Sequence, residues 1–185
     1  VASTDEDLNA PVPFCLASPL VSEVDSLGGK EAWQIEWKWD GIRAQLIKSH
    51  SGTLIWSRGG ESVGETFPEI MEAAKLLPEG VCLDGEILAW NQNGLMRFHD
   101  LQRRLGRKSP SIQIQTTVPT RFIAYDIMRH EGKDLREKPL VDRRQLLEKL
   151  INSLPSQYPI GISRPVEADS WEEYQTLRDQ SRKNG

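Results

Sequence analysis

Trp33-Gln34-Ile35-Glu36-Trp37-Lys38-Trp39-Asp40-Gly41-Ile42-Arg43-Ala44-Gln45-Leu46-Ile47 is the stretch from which the fold class is read. Up to Lys38 every second residue is apolar. In an extended chain Trp33, Ile35 and Trp37 therefore point to one face, and Gln34, Glu36 and Lys38 to the other. The tryptophans are expected in the core, and Glu36 and Lys38 at a shared polar site. Asp40-Gly41 is a turn signal between strands. A second alternating run, Ile42 to Ile47, leads to a Ser51-Gly52 turn and a third strand from Thr53 to Ser57. Three antiparallel strands in one meander are predicted.

Working outward, the spacing of Ile70, Ala73, Ala74 and Leu77 predicts a helix over Pro68 to Leu77, ended by Pro78 and Gly80. Val81 to Trp90 reads as a strand with Asp84 and Glu86 on one face. Gly85 between them allows close approach of a backbone or ligand. After the Asn93-Gly94 turn come a short basic helix, Phe98 to Leu105, and a strand, Arg121 to Met128. A helix over Pro139 to Leu154 carries a stripe at Leu147, Leu150, Ile151 and Leu154. Ser170 and Glu173 have the spacing of a capping box and open a last helix. No segment repeats at a fixed period. The fold class is α+β, with antiparallel sheets flanked by helices. Residues 1–14, polar and then Pro-rich at Pro11 and Pro13, read as a linker or disordered start, with one packed domain over 15–185.

The 185 residues are 38% hydrophobic and 27% charged, ordinary for a globular domain. No run approaches the 18 or more apolar residues of a membrane span, and no secretory signal opens the chain, so a cytoplasmic protein is expected, nuclear if its source is eukaryotic. Cys15 and Cys82 have neither a disulfide framework nor metal-ligand spacing and are read as inert. His50, His99 and His130 are scattered and read as solvated. A net charge of -4 argues against a stand-alone nucleic-acid binder. The cations that could serve one are local, in Gln102-Arg103-Arg104-Leu105-Gly106-Arg107-Lys108.

Lys38 is the candidate nucleophile. A lysine amine attacks only when unprotonated, and bringing it from about 10.4 to about 7 or 8 corresponds to roughly 3–5 kcal/mol of differential interaction. Arginine could not substitute, since a guanidinium keeps its proton. A lysine beside a hairpin turn is ordinarily a solvated surface residue. Its neighbours decide between these readings.

Lys38-Trp39-Asp40-Gly41-Ile42-Arg43 resembles the K-x-D-G-x-R motif of the covalent nucleotidyltransferase superfamily of DNA ligases, RNA ligases and mRNA capping enzymes. Further blocks follow in the family's order. Ser57-Arg58-Gly59-Gly60 is similar to its second block, Leu83-Asp84-Gly85-Glu86 to its D-G-E block, and Phe122-Ile123-Ala124-Tyr125-Asp126 to its aromatic-Asp block. Phe14-Cys15-Leu16-Ala17-Ser18-Pro19 and Pro139-Leu140-Val141-Asp142-Arg143-Arg144 resemble segments of ATP-dependent DNA ligases in particular.

The resemblance implies that Lys38 attacks the α-phosphorus of ATP and becomes linked to AMP. It implies that Glu36 accepts from the adenine amino group and that Arg43 holds ribose or phosphate. Arg58 would contact the ribose or a DNA 5′-phosphate, Glu86 the ribose hydroxyls, and Tyr125 would stack on adenine. Asp40, Asp84 and Glu86 would orient Lys38 or help to hold Mg²⁺. Each has an ordinary alternative: an ion pair for Glu36, an exposed strand arginine for Arg43, a loop arginine for Arg58, solvated carboxylates for Asp84 and Glu86, a core position for Tyr125. Asp126 reads as structural.

The implied partners are nicked double-stranded DNA, ATP, and further DNA-binding and OB-fold domains of the same parent chain, acting as a monomer in strand joining for replication, repair or recombination. The superfamily's last two motifs are expected beyond Gly185, so the 185 residues alone are expected to adenylate slowly or not at all. An RNA ligase, a capping guanylyltransferase and a nucleotide-binding module without catalysis are the alternatives.

Overall fold

Asp40-Gly41 leads directly into the first strand of a sheet in the computed structural model, which describes residues 8–15 and 18–181. The described residues fall into two compact units, one within 1–14 and 39–162 and the other within 15–38 and 163–185.

The first unit holds the sheet. Its strands are β1 (Ile42–Ser49), β2 (Gly52–Ser57), β3 (Val81–Asn91), β4 (Gly94–Leu95), β5 (Thr120–His130), β6 (Lys133–Asp134) and β7 (Ile160–Ile162). The order is β2-β1-β3-β5-β6, with β4 pairing β3 and β7 pairing β5. All ladders are antiparallel except that of the three-residue β7, which runs parallel to β5. The mixed class and the β1–β2 hairpin are as predicted.

One side of the sheet is apolar. Ala44 and Leu46 of β1, Leu83 and Ile87 of β3, and Phe122, Ala124 and Ile127 of β5 join one buried cluster. Helix α1 (Pro68–Ala74) covers it with Ile70, Ala73 and Ala74, and Pro68 stands at the helix start, where a missing N–H costs nothing. Helix α2 (Phe98–Gln102) adds Leu101. Helix α3 (Ile112–Thr117), which no periodicity in the sequence announces, is capped by Ser111, whose hydroxyl accepts from the Ile114 amide. Helix α4 (Leu140–Asn152) buries Leu147, Leu150 and Ile151, the stripe read from the sequence. At the opposite side of β1 and β3, Ile47, Cys82 and Met128 form a small second cluster.

The stretch read as a linker lies partly against this sheet. The Gln45 side-chain amide pairs with both backbone groups of Val12, donating to its carbonyl at 2.9 Å and accepting from its amide at 2.8 Å. Trp56 donates to the Asn9 carbonyl at 2.9 Å and Arg129 to that of Ala10 at 2.6 Å. A fully buried glutamine thus satisfies a segment with no strand of its own.

The second unit departs from expectation. Trp33 to Lys38 is not a strand; its only bridge among the described residues runs from Glu36 to Pro165. The Val166 amide donates to the Ile35 carbonyl at 2.7 Å, but Pro165 has no N–H to add a second bond, and the pairing does not extend into a ladder. Trp33 is 50% exposed, and its indole donates to the Leu27 carbonyl at 3.0 Å. Helix α5 (Trp171–Ser181) begins as read: the Ser170 hydroxyl accepts from the Glu173 amide, and the Glu173 carboxylate accepts from the Asp169 amide. No helix among the described residues is long and apolar enough to cross a membrane.

Candidate functional site

The polar side of β1, β3 and β5 brings together residues from three separate blocks of the sequence. Arg43 lies directly opposite Glu86, and Gln45 opposite Asp84. On the other side of β3, Asp84 faces Asp126. Period-two geometry carries these side chains away from the apolar core.

Arg43 is the hub. Its Nε donates to Asp84 Oδ1 at 2.8 Å and its Nη2 to Oδ2 at 2.9 Å, a two-pronged pair. The guanidinium carbon sits 4.5 Å from the centre of the Tyr125 ring, and the Tyr125 hydroxyl donates to Glu86 Oε2 at 3.4 Å. Asp84 is wholly buried. Burial raises its carboxyl above the ordinary range, Arg43 pulls it back in part, and Asp126 adds to the rise. Burial alone would lower Arg43; the hydrogen bonds and charge of Asp84, with Tyr125 and Glu86, outweigh it and raise the guanidinium. Neither an exposed strand arginine nor a solvated Asp84 describes this pair.

Tyr125 reaches this face through an irregularity. The β3–β5 ladder pairs Asp84 with Asp126 and then Gly85 with Ala124, passing over Tyr125. Strict alternation would put Tyr125 with both Ile123 and Ile127, whereas the bulge leaves Ala124 and Ile127 in the core with Tyr125 and Asp126 half-buried between them. The glycines fix the backbone nearby. A Cβ on Gly85 would lie 2.4 Å from the Ile123 carbonyl oxygen, so its small size serves strand packing. A Cβ on Gly41 would lie 2.3 Å from the Ile87 carbonyl oxygen and 2.8 Å from Glu86 Cγ.

Of the remaining expected residues, Arg58 and Asp40 belong to the same unit as this cluster. Arg58 is exposed, and its backbone amide donates to the Arg43 carbonyl at 3.0 Å. Asp40 is exposed. Glu36 and Lys38 belong to the second unit; Glu36 is half-buried and accepts from the Gln34 side chain, and Lys38 is exposed.

Arg143 and Arg144 are functional candidates to which the sequence alone assigns no role beyond the resemblance of their segment. Arg143 grips Asp126 through Nη2 at 2.9 Å and Nε at 3.0 Å, giving Asp126 the structural role expected of it. Arg144 is buried and donates to the Tyr125 carbonyl at 3.2 Å. Their signal in the sequence is two adjacent arginines on a helix whose buried stripe begins three residues later.

No three His, Cys, Asp or Glu side chains gather as a metal set among the described residues. Asp84, expected as a metal ligand, has both oxygens on Arg43. Arg104, counted among the local cations, is a core residue at 0% exposure: it donates to both oxygens of Glu69 and to the carbonyls of Thr66 and Val118.

Comparison with known proteins shows the family. Residues 15–185 match the family model for the ATP dependent DNA ligase domain. The chain is 36% identical over 142 residues to a probable DNA ligase of Koribacter versatilis, covering 77% of this chain and 25% of that protein. It is 30% identical over 176 residues to a DNA ligase of Archaeoglobus fulgidus, covering 95% of this chain and 31% of that protein. It thus spans less than a third of either relative. Among solved structures, a mycobacterial DNA ligase D complexed with ATP and MES superposes with a TM-score of 0.62 at 26% identity, over 80% of this chain and 45% of that one. With sequence match, named relatives and fold all in agreement, the chain belongs to the ATP-dependent DNA ligase family.

Proposed function

We propose that this chain carries the adenylating chemistry of an ATP-dependent DNA ligase, with Lys38 as the residue that takes up AMP. The observation that supports it best is the convergence of three sequence blocks on one polar face: Arg43, Asp84 with Glu86, and Tyr125 come from three strands and contact one another. An apolar fold needs no such cluster, and burying it costs free energy that only a specific role or a complete set of partners offsets.

In the proposed first step the Lys38 amine, having lost a proton, bonds to the α-phosphorus of ATP as the bond from that phosphorus to the bridging oxygen breaks and pyrophosphate leaves. The phosphoramidate then passes AMP to the 5′-phosphate of nicked DNA, and the 3′-hydroxyl displaces AMP to seal the strand. Tyr125 would present its ring to adenine, Glu86 its carboxylate to the ribose hydroxyls, and Glu36 would accept from the adenine amino group. Arg43, whose guanidinium lies against the Tyr125 ring, would hold the ribose or phosphate. Arg58 would meet the ribose or the 5′-phosphate, and Asp40 would orient Lys38. Each Asp84 oxygen accepts one hydrogen bond from Arg43, and no step here depends on the Mg²⁺ that such transfers ordinarily use.

The test is incubation of the complete parent protein, in which these 185 residues are one part, with ATP labelled at the α-phosphate, followed by mass spectrometry of the peptide containing Lys38. An AMP adduct on Lys38, absent in Lys38→Ala protein that still binds ATP, is expected. Equal labelling of the variant would remove Lys38 from its role. Offering GTP, or nicked RNA, in parallel separates the DNA ligase from a capping enzyme or an RNA ligase.

A further inference from the structure

We propose that Arg144, with Arg143 beside it, is a positioning residue for Tyr125: the two guanidinium groups stand in for a missing strand along β5 and hold the bulge from which the Tyr125 ring meets Arg43 and Glu86. Its consequence for nucleotide binding rests on the reading above; its structural part stands on the geometry alone.

Along the outer edge of β5 the strand ladders cover its two ends. β7 pairs with Phe122, Ile123 and Ala124, and β6 with Arg129 and His130. From Tyr125 to Ile127 no strand runs alongside this edge among the described residues, and on the inner side the ladder to β3 passes over Tyr125. A backbone segment so placed must find partners elsewhere or lose the free energy of its hydrogen bonds.

Side chains supply those partners. The Ile127 amide donates to Asp126 Oδ1 at 2.8 Å, so the aspartate caps its own neighbour. That carboxylate is in turn gripped by Arg143, which also donates to the carbonyls of Arg136 and Lys138. Arg144 donates from Nη1 to the Tyr125 carbonyl at 3.2 Å. Its side chain is 7% exposed, although a helical arginine that served only its partner one turn on, Glu148 at 3.4 Å, could stay in water. Burying a guanidinium against a backbone carbonyl is costly, and the carbonyl it serves belongs to the residue that the ladder skips. The bulge sets where the Tyr125 Cα lies relative to β3, and that sets which groups its ring can reach.

The chain has three tyrosines, Tyr125, Tyr158 and Tyr174, so ring-labelled tyrosine gives three NMR signals, with Tyr125 assigned through Tyr125→Phe. Tyr158 packs on the same core as α4 and reports on helix packing, and Tyr174 lies in the second unit. In Arg144→Met the Tyr125 signal is expected to move while Tyr158 and Tyr174 hold. Arg144→Lys, which keeps one donor for the carbonyl, is expected to fall between and decides the matter if the methionine variant does not fold. An unmoved Tyr125, or equal movement of Tyr125 and Tyr158, would overturn the proposal, the latter by showing ordinary helix packing. ATP affinity measured on the same proteins is expected to weaken about tenfold in Arg144→Met, the equivalent of about 1.4 kcal/mol. If Tyr125→Ala leaves ATP affinity unchanged, the nucleotide reading fails while the NMR still decides the positioning. If Tyr125→Ala weakens ATP and Arg144→Met does not, the positioning role fails alone.

Discussion

Asp84 is a fully buried carboxylate whose two oxygens both meet Arg43, and removing either partner strands the other's charge. Arg43→Ala is expected to cost about 3 kcal/mol, the low end for breaking a buried pair because the Arg43 side chain keeps 28% exposure. Asp84→Asn added to that variant should restore part of the loss, since a neutral amide tolerates the site better. A urea double-mutant cycle measures this, and strict additivity would contradict it. Beside the pair, burial lifts the Cys82 thiol from its ordinary 9.0 to about 12, with Asp84 adding to the rise and Arg129 opposing it. The unfolded thiol loses its proton near 9 while the folded one keeps it, so the folded state binds more protons in that interval. Stability should therefore fall as pH rises from about 9 to about 12, and Cys82→Ala should flatten that fall in pH-dependent denaturation. At pH 8 a maleimide should label exposed Cys15 and spare Cys82 until the protein unfolds.

Strands that run in a ladder, the edge strand β2 among them, are legible in the sequence, and the absence of a ladder at Trp33 to Lys38 is not. β1, β3 and β5 lie at the centre of the sheet, and their apolar alternation follows from burial on one face. Trp33 to Lys38 shows the same period but makes a single bridge among the described residues, Glu36 with Pro165, beside one backbone bond from the Val166 amide to the Ile35 carbonyl, because periodicity records a face to bury and not the existence of a ladder. β7 is three residues long, too short for any pattern, and it enters by a parallel pairing set by tertiary packing. The candidate site divides in the same way. Its charged residues can be picked out by type and spacing, while the bulge that aims Tyr125 depends on the register of two strands distant in sequence and leaves no local trace. Gly85 tests how tightly that register is held. A Cβ there would press on the Ile123 carbonyl and the Phe122 ring, so Gly85→Ala should cost about 3 kcal/mol by overpacking. Gly59→Ala, with nothing nearer than the Ser57 hydroxyl at 3.7 Å, should stay within about 0.5 kcal/mol. Thermal unfolding of the two variants compares them directly.

Across the whole molecule a net charge of -4 must coexist with the DNA substrate of the proposed reaction, and the resolution lies in where the cations are placed. Arg104 is committed to Glu69 and two carbonyls inside the first unit, with its guanidinium 5.7 Å from the Phe67 ring centre. It anchors the turn that follows α2 to α1, and on that turn Arg103, Arg107 and Lys108 stand exposed. A basic turn fixed to the core places its charges without losing the ordering entropy of a mobile loop on binding. The two kinds of cation should separate by experiment. Arg104→Ala leaves Glu69 with the Thr120 hydroxyl but without its charged partner and should cost about 3 kcal/mol in stability. Its effect on nicked-DNA affinity, measured where the variant remains folded, should not change with salt. Replacing Arg103, Arg107 and Lys108 by alanine should leave thermal stability nearly intact and flatten the dependence of log affinity on log salt by about 0.9 for each phosphate no longer neutralised. An unchanged salt slope in the triple variant would mean that these three cations neutralise no phosphate, and that the DNA charge is met by residues elsewhere.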